Sequence, residues 1–174
     1  MKMPNKKQAG NWGDISTTGG AGYREDLQAG CQLLAGRLFS SGTSVLDVGA
    51  GLGKSVERMP NQVVTTQDPA PINTVTTHKP IEEIADNSYD YVTAFDVIEH
   101  VEEDWPFLAN LLRIARSRVM ISTPNYKVSK AVNWSHVREY TPKQLLWMCS
   151  QLSKVRRLYS GDAGLNSKIS TKSR

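Results

Sequence analysis

Residues 45–55 read VLDVGAGLGKS and join a short apolar stretch to a glycine-rich turn. The stretch 44–48 predicts a buried strand, and a helix is expected from Lys54 onwards. Because glycine lacks a Cβ, this turn can bend tightly and bring bare backbone close to a ligand. Since the turn lies between a strand and a helix, we expect it to form part of a ligand-binding site.

The spacing of the glycines distinguishes three kinds of turn. A phosphate-binding P-loop needs another glycine where this chain has Val48, so a P-loop is excluded. The dinucleotide fingerprint needs its third glycine where this chain has Lys54, which weakens that interpretation. The pattern that the chain matches is Asp-x-Gly-x-Gly-x-Gly, formed by Asp47, Gly49, Gly51 and Gly53.

Predicted strands and helices alternate along the chain. Strands are expected at 44–48, 62–67, 89–95, 118–122 and 155–159, with a further short one at 74–77. Helices are expected near 23–39, 101–116 and 142–152, the last with Thr141 as N-cap and Pro142 at its first position. Such alternation predicts an α/β fold with a mostly parallel sheet covered on both faces, whose ligands bind at the carboxyl ends of the strands.

Composition and charge exclude several classes of protein. The 174 residues are 39% hydrophobic and 22% charged, which excludes collagen, coiled coil and wholesale disorder. The net charge of +4 and the pI of 9.1 arise at the two ends of the chain, while residues 11–152 are net acidic. Basic ends are more often solvated than bound, so nucleic acid is a secondary partner hypothesis, through the termini.

The cysteines and the N-terminus bear on location. Cys31 and Cys149 lie far apart in helical patterns and are predicted to be buried reduced thiols. We expect neither a signal peptide nor a membrane span. These features predict a cytoplasmic protein, or one of the host cytoplasm if it is encoded by a phage.

The Asp-x-Gly-x-Gly-x-Gly turn resembles motif I of the class I S-adenosylmethionine-dependent methyltransferases. Asp68 ends the second strand 21 residues after Asp47, where its two oxygens can bind ribose hydroxyls. Downstream, 81–92 (IEEIADNSYDYV), 95–101 (FDVIEHV), 122–125 (STPN) and 136–142 (HVREYTP) resemble, in order, segments of the ubiquinone-type and related small O-methyltransferases. The resemblance covers roughly residues 23–152 and is specific for the superfamily, not for a substrate.

The resemblance implies a Rossmann-like methyltransferase sandwich of six to seven strands. The chain between Asp68 and Glu82 is too short for the usual crossover helix plus strand, so that edge of the sheet is expected to be reduced. The early C-terminus predicts that the last hairpin is missing or incomplete. The expected organisation is an N-terminal arm at 1–22, a methyltransferase domain at 23–160 and a flexible tail at 161–174.

The resemblance also implies S-adenosylmethionine as cofactor, with S-adenosylhomocysteine as product. Asp47 would help to fix the loop and the donor's amino end, Ile81 would pack on adenine, and Arg24 is a candidate partner of the donor carboxylate. The full expected set of cofactor-binding residues is Arg24, Asp47, Gly49, Ala50, Gly51, Gly53, Asp68, Pro69, Ile81, Glu82, Asp96 and Val97.

Three residues are expected to carry the reaction: His100, Asp96 and His136. Methyl transfer is an in-line displacement, and His100 is the candidate general base if the acceptor must lose a proton. The preferred interpretation has no metal: Asp96 faces the donor, Glu99 caps a helix and His136 belongs to a lid. The alternative is a divalent-metal set of Asp96, Glu99, His100 and His136, similar to that of some ubiquinone O-methyltransferases and small-RNA 3′-terminal 2′-O-methyltransferases.

The acceptor is predicted to be an oxygen of a small molecule. Residues 95–98 read FDVI, unlike the signature of exocyclic-amine nucleic-acid methylases, and neither cysteine has the context of cytosine C5 methylases. Trp134 and Tyr140 flank the loop 123–140 and are expected either to form an apolar lid over the acceptor or to pack in the core. Two alternatives stay open: metal-assisted 2′-O-methylation of RNA ribose, and a donor-binding module without catalysis.

Overall fold

The computed structural model describes residues 21–70, 74–126, 135–152, 154–159 and 167–172, with side chains placed between residues 28 and 152. The helices are α1 (Ala21–Leu38), α2 (Ser55–Arg58), α3 (Asp104–Ile114) and α4 (Pro142–Leu152). The strands are β1 (Ser44–Val48), β2 (Val63–Gln67), β3 (Tyr89–Phe95), β4 (Ala115–Thr123), β5 (Lys154–Tyr159) and β6 (Ser167–Lys172). Two single 3₁₀ turns lie at Ile81–Glu83 and Ile98–His100.

These strands form one six-stranded sheet in the order β2-β1-β3-β4-β6-β5. Strands β1 to β4 are parallel, and β6 runs antiparallel to both β4 and β5. The predicted Rossmann-like α/β fold is therefore confirmed, with the lower of the two expected strand numbers. Asp47 is in register with Thr66 of β2 and Thr93 of β3, so the carboxyl ends of these three strands lie side by side at the same end of the sheet.

Each face of the sheet carries its own apolar layer. On one face, residues such as Leu46, Val92 and Ile121 pack with α3 and α4. On the other face, Val45, Tyr91 and Met120 pack with α1. Alternate residues of a strand point to opposite faces, so the strands are apolar almost throughout and need helices on both sides.

The cysteine and cap predictions are confirmed. Cys31 and Cys149 are both buried and free, and burial raises the pKa of Cys149 to about 12. At the start of α4 the Thr141 hydroxyl accepts a hydrogen bond from Gln144 N–H, and Gln144 Oε1 accepts one from Thr141 N–H. This reciprocal capping box holds the helix start in place.

The sheet edge beside β2 is reduced, as predicted. Residues 68–70 and 74–80 contain no helix, and the strand expected at 74–77 amounts to a single bridge between Gln67 and Thr77. Hydrogen bonds between the hydroxyls and backbone of Thr66 and Thr76 fasten this segment to β2. In the described residues of this connection, a short extended segment hydrogen-bonded to β2 therefore takes the place of a crossover helix.

The expectation of a missing or incomplete C-terminal hairpin is wrong. Strands β5 and β6 form that hairpin, and β6 lies within residues 161–174, where a flexible tail was expected. The sequence of β6, SKISTK, has one large apolar residue, Ile169, so its composition carries little strand signal. Its backbone pairs with β4 on one side and β5 on the other, which supplies the order that its side chains do not predict. The arm expected at 1–22 lies almost wholly outside the described residues and stays a prediction.

None of the helices in the described part of the chain has the length and apolarity needed to cross a membrane.

Candidate active site

The glycine turn after β1 has the backbone that its sequence requires. Gly49, Gly51 and Gly53 all have positive φ, at 65°, 55° and 70°. A Cβ at Gly49 would lie 2.5 Å from Val97 Cγ2, and one at Gly53 would lie 2.9 Å from the Thr74 carbonyl oxygen. A Cβ at Gly51 would meet no atom of the described residues within 4 Å. Two glycines are therefore required by packing, and Gly51 presents bare backbone to open space.

Asp68 ties this turn to the end of β2. Its carboxylate is buried, Oδ2 accepts a hydrogen bond from Gly51 N–H at 3.0 Å, and Oδ1 accepts one from Ala70 N–H at 2.9 Å. The ring of His78 donates from Nδ1 to the Asp68 carbonyl at 2.8 Å, since a carbonyl can only accept. Each carboxylate oxygen keeps acceptor capacity for a further donor such as a hydroxyl.

Asp47 lies underneath the turn. It is 2% exposed, and Oδ1 accepts a hydrogen bond from the Thr93 hydroxyl at 2.6 Å. Oδ2 is buried and has no hydrogen-bond partner among the residues that the structure describes. Burial raises the pKa of Asp47, and its hydrogen bonds offset part of that rise. This hydrogen bond ties Asp47 to β3, and its roles in fixing the loop and in contacting the amino end of a donor stay predictions.

Asp96 follows β3 in a strained conformation. Its φ is +57°, in the left-handed region, which costs a non-glycine residue about 1–2 kcal/mol. Its N–H donates to the Ser122 carbonyl at 3.0 Å, and the Ser122 hydroxyl donates to Asp96 Oδ1 at 2.9 Å. The neighbouring strand β4 therefore holds both the backbone and the carboxylate of Asp96 at the strand ends.

Glu99, His100 and His136 come together beside Asp96. One ligand atom of each lies within 4.8 Å of the others. Glu99 is 1% exposed, and within the described part of the chain its Oε2 has no hydrogen-bond partner. Burial, and then the negative charge of Asp96, raise the pKa of Glu99 well above its ordinary value. The two imidazole rings meet edge to face with centroids 4.9 Å apart.

Both imidazoles are oriented through Nδ1. His100 Nδ1 donates to the Ser135 carbonyl at 3.2 Å, and His136 Nδ1 lies 2.5 Å from Glu139 Oε1. When Nδ1 carries the hydrogen, Nε2 of a neutral ring carries the lone pair. Nε2 is therefore the nitrogen that can take up a proton or hold a cation. Glu139 was missed at the sequence level, although an acid three residues after a histidine in HVRE was the available signal.

A buried ion pair fixes the segment that carries His136. The Arg138 guanidinium pairs with Asp104 at 2.5 Å and donates to the Glu102 carbonyl, and the N–H groups of Val137 and Arg138 donate to the Glu99 carbonyl. The Tyr140 hydroxyl donates to Asp104 at 2.9 Å. Residues 136–140 are thus held against 98–104, which sets the distance between the two histidines.

Two expectations are wrong at this point. Tyr140 is 3% exposed and belongs to the core layer beneath α4, so the lid role is wrong for this residue and the alternative of core packing is confirmed. Glu99 does not cap a helix, because α3 begins at Asp104 and the Glu99 side chain lies in the histidine cluster. Trp134, and the side chain of Arg24, lie outside the described part of the structure.

Three further residues predicted to bind the cofactor differ in burial, and their contacts with a cofactor stay predictions. Ile81 is buried in the core layer of α3 and α4, while Pro69 and Glu82 are exposed. Arg113 holds this turn, because its guanidinium donates to the carbonyls of Ile81 at 2.9 Å and Ile84 at 2.6 Å. No local sequence pattern predicts this contact, because Arg113 lies on α3, some thirty residues further along the chain.

The structure therefore places the predicted site residues in two neighbouring groups. The group at the glycine turn consists of Asp47, Gly49, Ala50, Gly51, Gly53, Asp68, Asp96 and Val97. The second group consists of Glu99, His100 and His136, with Glu139 behind it. The ionisable side chains of the first group, Asp47, Asp68 and Asp96, are all acidic, so this end of the sheet suits a ligand that carries positive charge.

A family model described as a methyltransferase domain matches residues 21–163. Sequence comparison finds no curated relative of the chain. Among solved structures, the chain is similar to Burkholderia thailandensis 1,6-didemethyltoxoflavin-N1-methyltransferase with bound 1,6-didemethyltoxoflavin and S-adenosylhomocysteine, with a TM-score of 0.68, 16% identity, and coverage of 92% of each chain.

Two further solved structures have the same fold. Magnesium protoporphyrin IX methyltransferase of Synechocystis, with bound S-adenosylmethionine, has a TM-score of 0.65 and 16% identity over 94% of this chain and 88% of that one. A complex between the Haloferax volcanii Trm112 methyltransferase activator and a methyltransferase has a TM-score of 0.72 and 11% identity, over 87% of this chain and 92% of that one.

Proposed function

Because the chain belongs to the methyltransferase-domain family and has the class I fold, we propose that it transfers the methyl group of S-adenosylmethionine to an oxygen of a small molecule. One observation carries the proposal: the open backbone at Gly51 lies next to the buried carboxylate of Asp68, which supports a donor site. A histidine–carboxylate cluster at the same end of the sheet supports an acceptor site.

The donor site fits S-adenosylmethionine in shape and charge. Gly51 leaves room for a ligand against the backbone, and Asp68 can accept hydrogen bonds from a ribose diol. Asp47, Asp68 and Asp96 surround the turn with negative charge, which suits a donor that carries a sulfonium and an amino group. Bound S-adenosylmethionine supplies an activated methyl group, and the protein's task is to position the acceptor in line with it.

The acceptor side offers a general base. An attacking hydroxyl must lose its proton as the new O–C bond forms, and neutral His100 can accept that proton at Nε2. The Ser135 carbonyl on Nδ1 fixes the tautomer, and Glu99 lies close enough to stabilise the imidazolium that results. Burial of the cluster excludes water from the reaction.

The experiment that tests the proposal is a calorimetric titration with S-adenosylhomocysteine, followed by an acceptor screen that measures its formation. His100→Gln should bind S-adenosylhomocysteine as the wild type does and lose about a hundredfold or more in turnover, together with the acid limb of the pH–rate profile. Absence of S-adenosylhomocysteine binding by the wild type would remove the donor proposal. Unchanged turnover by His100→Gln would refute the assignment of His100 as the general base.

One observation favours a second candidate function, metal-assisted methylation of an RNA ribose 2′-hydroxyl. Three residues have ligand atoms within 4.8 Å of one another, and one of them is a buried carboxylate whose Oε2 finds no partner in the described structure, so the set can hold a divalent cation. Turnover on RNA that is abolished by a chelator and restored by Mg²⁺ or Mn²⁺ would support it. Binding of Mn²⁺ alone should be lost in Glu99→Gln. Equal turnover with and without chelator would eliminate it.

One of the three arguments for a donor-binding module without catalysis no longer holds. They were a thin sheet edge, a lost helix and an early end of the sheet, and the β5–β6 hairpin removes the last of these. Binding of S-adenosylhomocysteine without turnover on any acceptor would be the result that restores it.

A further inference from the structure

The face of α1 that packs on the sheet carries two glutamines at positions where an amphipathic helix has apolar residues. Cys31, Ala35 and Phe39 line this face and pack in the apolar layer of the sheet. Gln32 belongs to the same face and is 1% exposed, and Gln28 lies one turn before it. Because a buried amide needs polar partners to offset its desolvation, the partners of these two side chains explain why the positions are polar.

Gln28 reaches the carboxyl end of β3. Its Nε2 donates a hydrogen bond to the Phe95 carbonyl at 3.2 Å. The N–H of the same peptide unit belongs to Asp96 and donates to the Ser122 carbonyl at 3.0 Å. Helix α1 and strand β4 therefore hold this peptide unit from both sides, directly before the left-handed conformation of Asp96.

Gln32 lies between Arg58 and Asp47. Its Oε1 accepts a hydrogen bond from the Arg58 guanidinium at 2.6 Å. Since a guanidinium can only donate, Oε1 faces Arg58 and the amide nitrogen is left for other partners. Burial raises the pKa of Asp47, and the Ser55 and Thr93 hydroxyls and the Gln32 amide offset part of that rise, so the amide lies beside this carboxyl group.

The two glutamines therefore contact both acidic residues that flank the glycine turn, Asp47 from β1 and Asp96 after β3. An apolar side chain at either position would pack on the sheet without this cost of desolvation, so fold stability alone does not explain the amides. We propose that Gln28 and Gln32 are positioning residues of the donor site, through which α1 fixes Asp96 and Asp47 in the arrangement that binds S-adenosylmethionine. The inference deepens the proposed function and rests on its donor site.

The charge state of Asp47 is what Gln32 controls. A positively charged ligand is attracted by the ionised carboxylate and not by the neutral acid. Burial and the negative charge of Asp68 both favour the neutral acid, and the Gln32 amide opposes them. Arg58 polarises that amide through its hydrogen bond to Oε1, which strengthens the interaction of the N–H groups with a carboxylate.

The other end of α1 offers a matched control. Gln62 precedes β2, and its Nε2 donates to the carbonyls of Gly36 at 3.2 Å and Phe39 at 3.3 Å. A glutamine amide thus fastens α1 here as well, but at the amino ends of the parallel strands, away from the donor site. Loss of this amide should weaken the attachment of the helix without touching Asp47 or Asp96.

Calorimetric titration of the full chain with S-adenosylhomocysteine at neutral pH tests the proposal. Gln32→Met, which keeps the length of the side chain and removes its amide, should bind about tenfold more weakly than the wild type. Gln62→Met should bind within about twofold of the wild type, although thermal unfolding should show that both variants are less stable. If Gln32→Met does not fold, Gln28→Met, at a partly exposed position, is the second variant and should also bind more weakly.

The pH dependence of the affinity separates positioning from general stability. Wild-type affinity should fall on acidification as Asp47 takes up a proton. Gln32→Met removes a group that lowers the pKa of Asp47, so the fall should begin at a higher pH than in the wild type. The profile of Gln62→Met should coincide with that of the wild type.

Three results would overturn the inference while the donor site stands. They are wild-type affinity in the variants at Gln28 and Gln32, a loss in Gln62→Met equal to that in Gln32→Met, and a weaker affinity of Gln32→Met with an unshifted pH profile. Absence of S-adenosylhomocysteine binding by the wild type is a different outcome, because it would remove the proposed donor site and the inference with it.

Discussion

Replacement of Asp68 by asparagine tests the donor site most directly. The carboxylate accepts hydrogen bonds from Gly51 and Ala70, and the proposed function adds two from a ribose diol. Hydrogen bonds to a charged group contribute about 1.5–3 kcal/mol each. Asparagine keeps the shape and one acceptor oxygen, but its amide turns an N–H towards a backbone N–H. We therefore expect a loss of about 1.5–3 kcal/mol, which is about a tenfold to hundredfold weaker affinity for S-adenosylhomocysteine.

Isothermal calorimetry on folded protein measures this loss, and Glu57→Gln is its control. Glu57 is exposed on α2, just after the glycine turn, so its removal changes the same charge close to the site without touching the proposed ribose contact. Glu57→Gln should leave the affinity within about twofold, since exposed charges are screened. An affinity of Asp68→Asn within threefold of the wild type would refute the ribose assignment. An equal loss of affinity in Glu57→Gln would mean that the effect comes from the charge of the surroundings and not from a ribose contact.

Two further predictions concern stability. Gly49→Ala is expected to lower the free energy of unfolding by about 2 kcal/mol or more, because φ is +65° and the new Cβ would meet Val97 at 2.5 Å. Gly30→Ala, exposed in α1 with nothing within 4 Å, is expected to raise it by about 0.5–1 kcal/mol, and urea unfolding of both variants checks the contrast. Asp47→Asn is expected to stabilise the protein at neutral pH. Burial raises the pKa of Asp47 in the folded protein above the pKa of about 3.9 that it has in the unfolded chain. Above that pH the side chain ionises more readily in the unfolded chain, which lowers the free energy of unfolding of the wild type. The gain in Tm over the wild type should be smallest below about pH 4 and grow as the pH rises, and a gain that shrinks with rising pH would contradict the argument.

The parts of the fold that follow a local rule were predictable from the sequence. Strand β1, strand β3 and helix α4 lie where apolar runs, turn residues and the Thr141 cap place them. Strand β6 was not predictable, because it has one large apolar residue and takes its order from backbone pairing with two neighbours. Pairing partners distant in sequence leave no mark on local composition.

The candidate site shows the same division. The positive φ values of the glycine turn follow from its glycines, and Asp68 follows from its place after β2. The approach of His100 to His136 depends on an ion pair between Arg138 and Asp104, residues that are 34 positions apart in the chain. Motif spacing cannot give such a distance, because it is set by packing between segments and not within one.

Buried acidic groups at the strand ends lower the stability of the protein, and a bound ligand of positive charge would offset this loss. Asp47 and Glu99 are buried with raised pKa values, and in each case the charge of a neighbouring aspartate contributes to the rise. Asp96 adds backbone strain at the same edge. A protein selected for stability alone would replace these groups by apolar residues, since unpaired buried charge is expensive. Their position at the carboxyl ends of two adjacent parallel strands, β1 and β3, is what a site for a sulfonium donor requires, because attraction to the positively charged ligand offsets the cost of desolvating them.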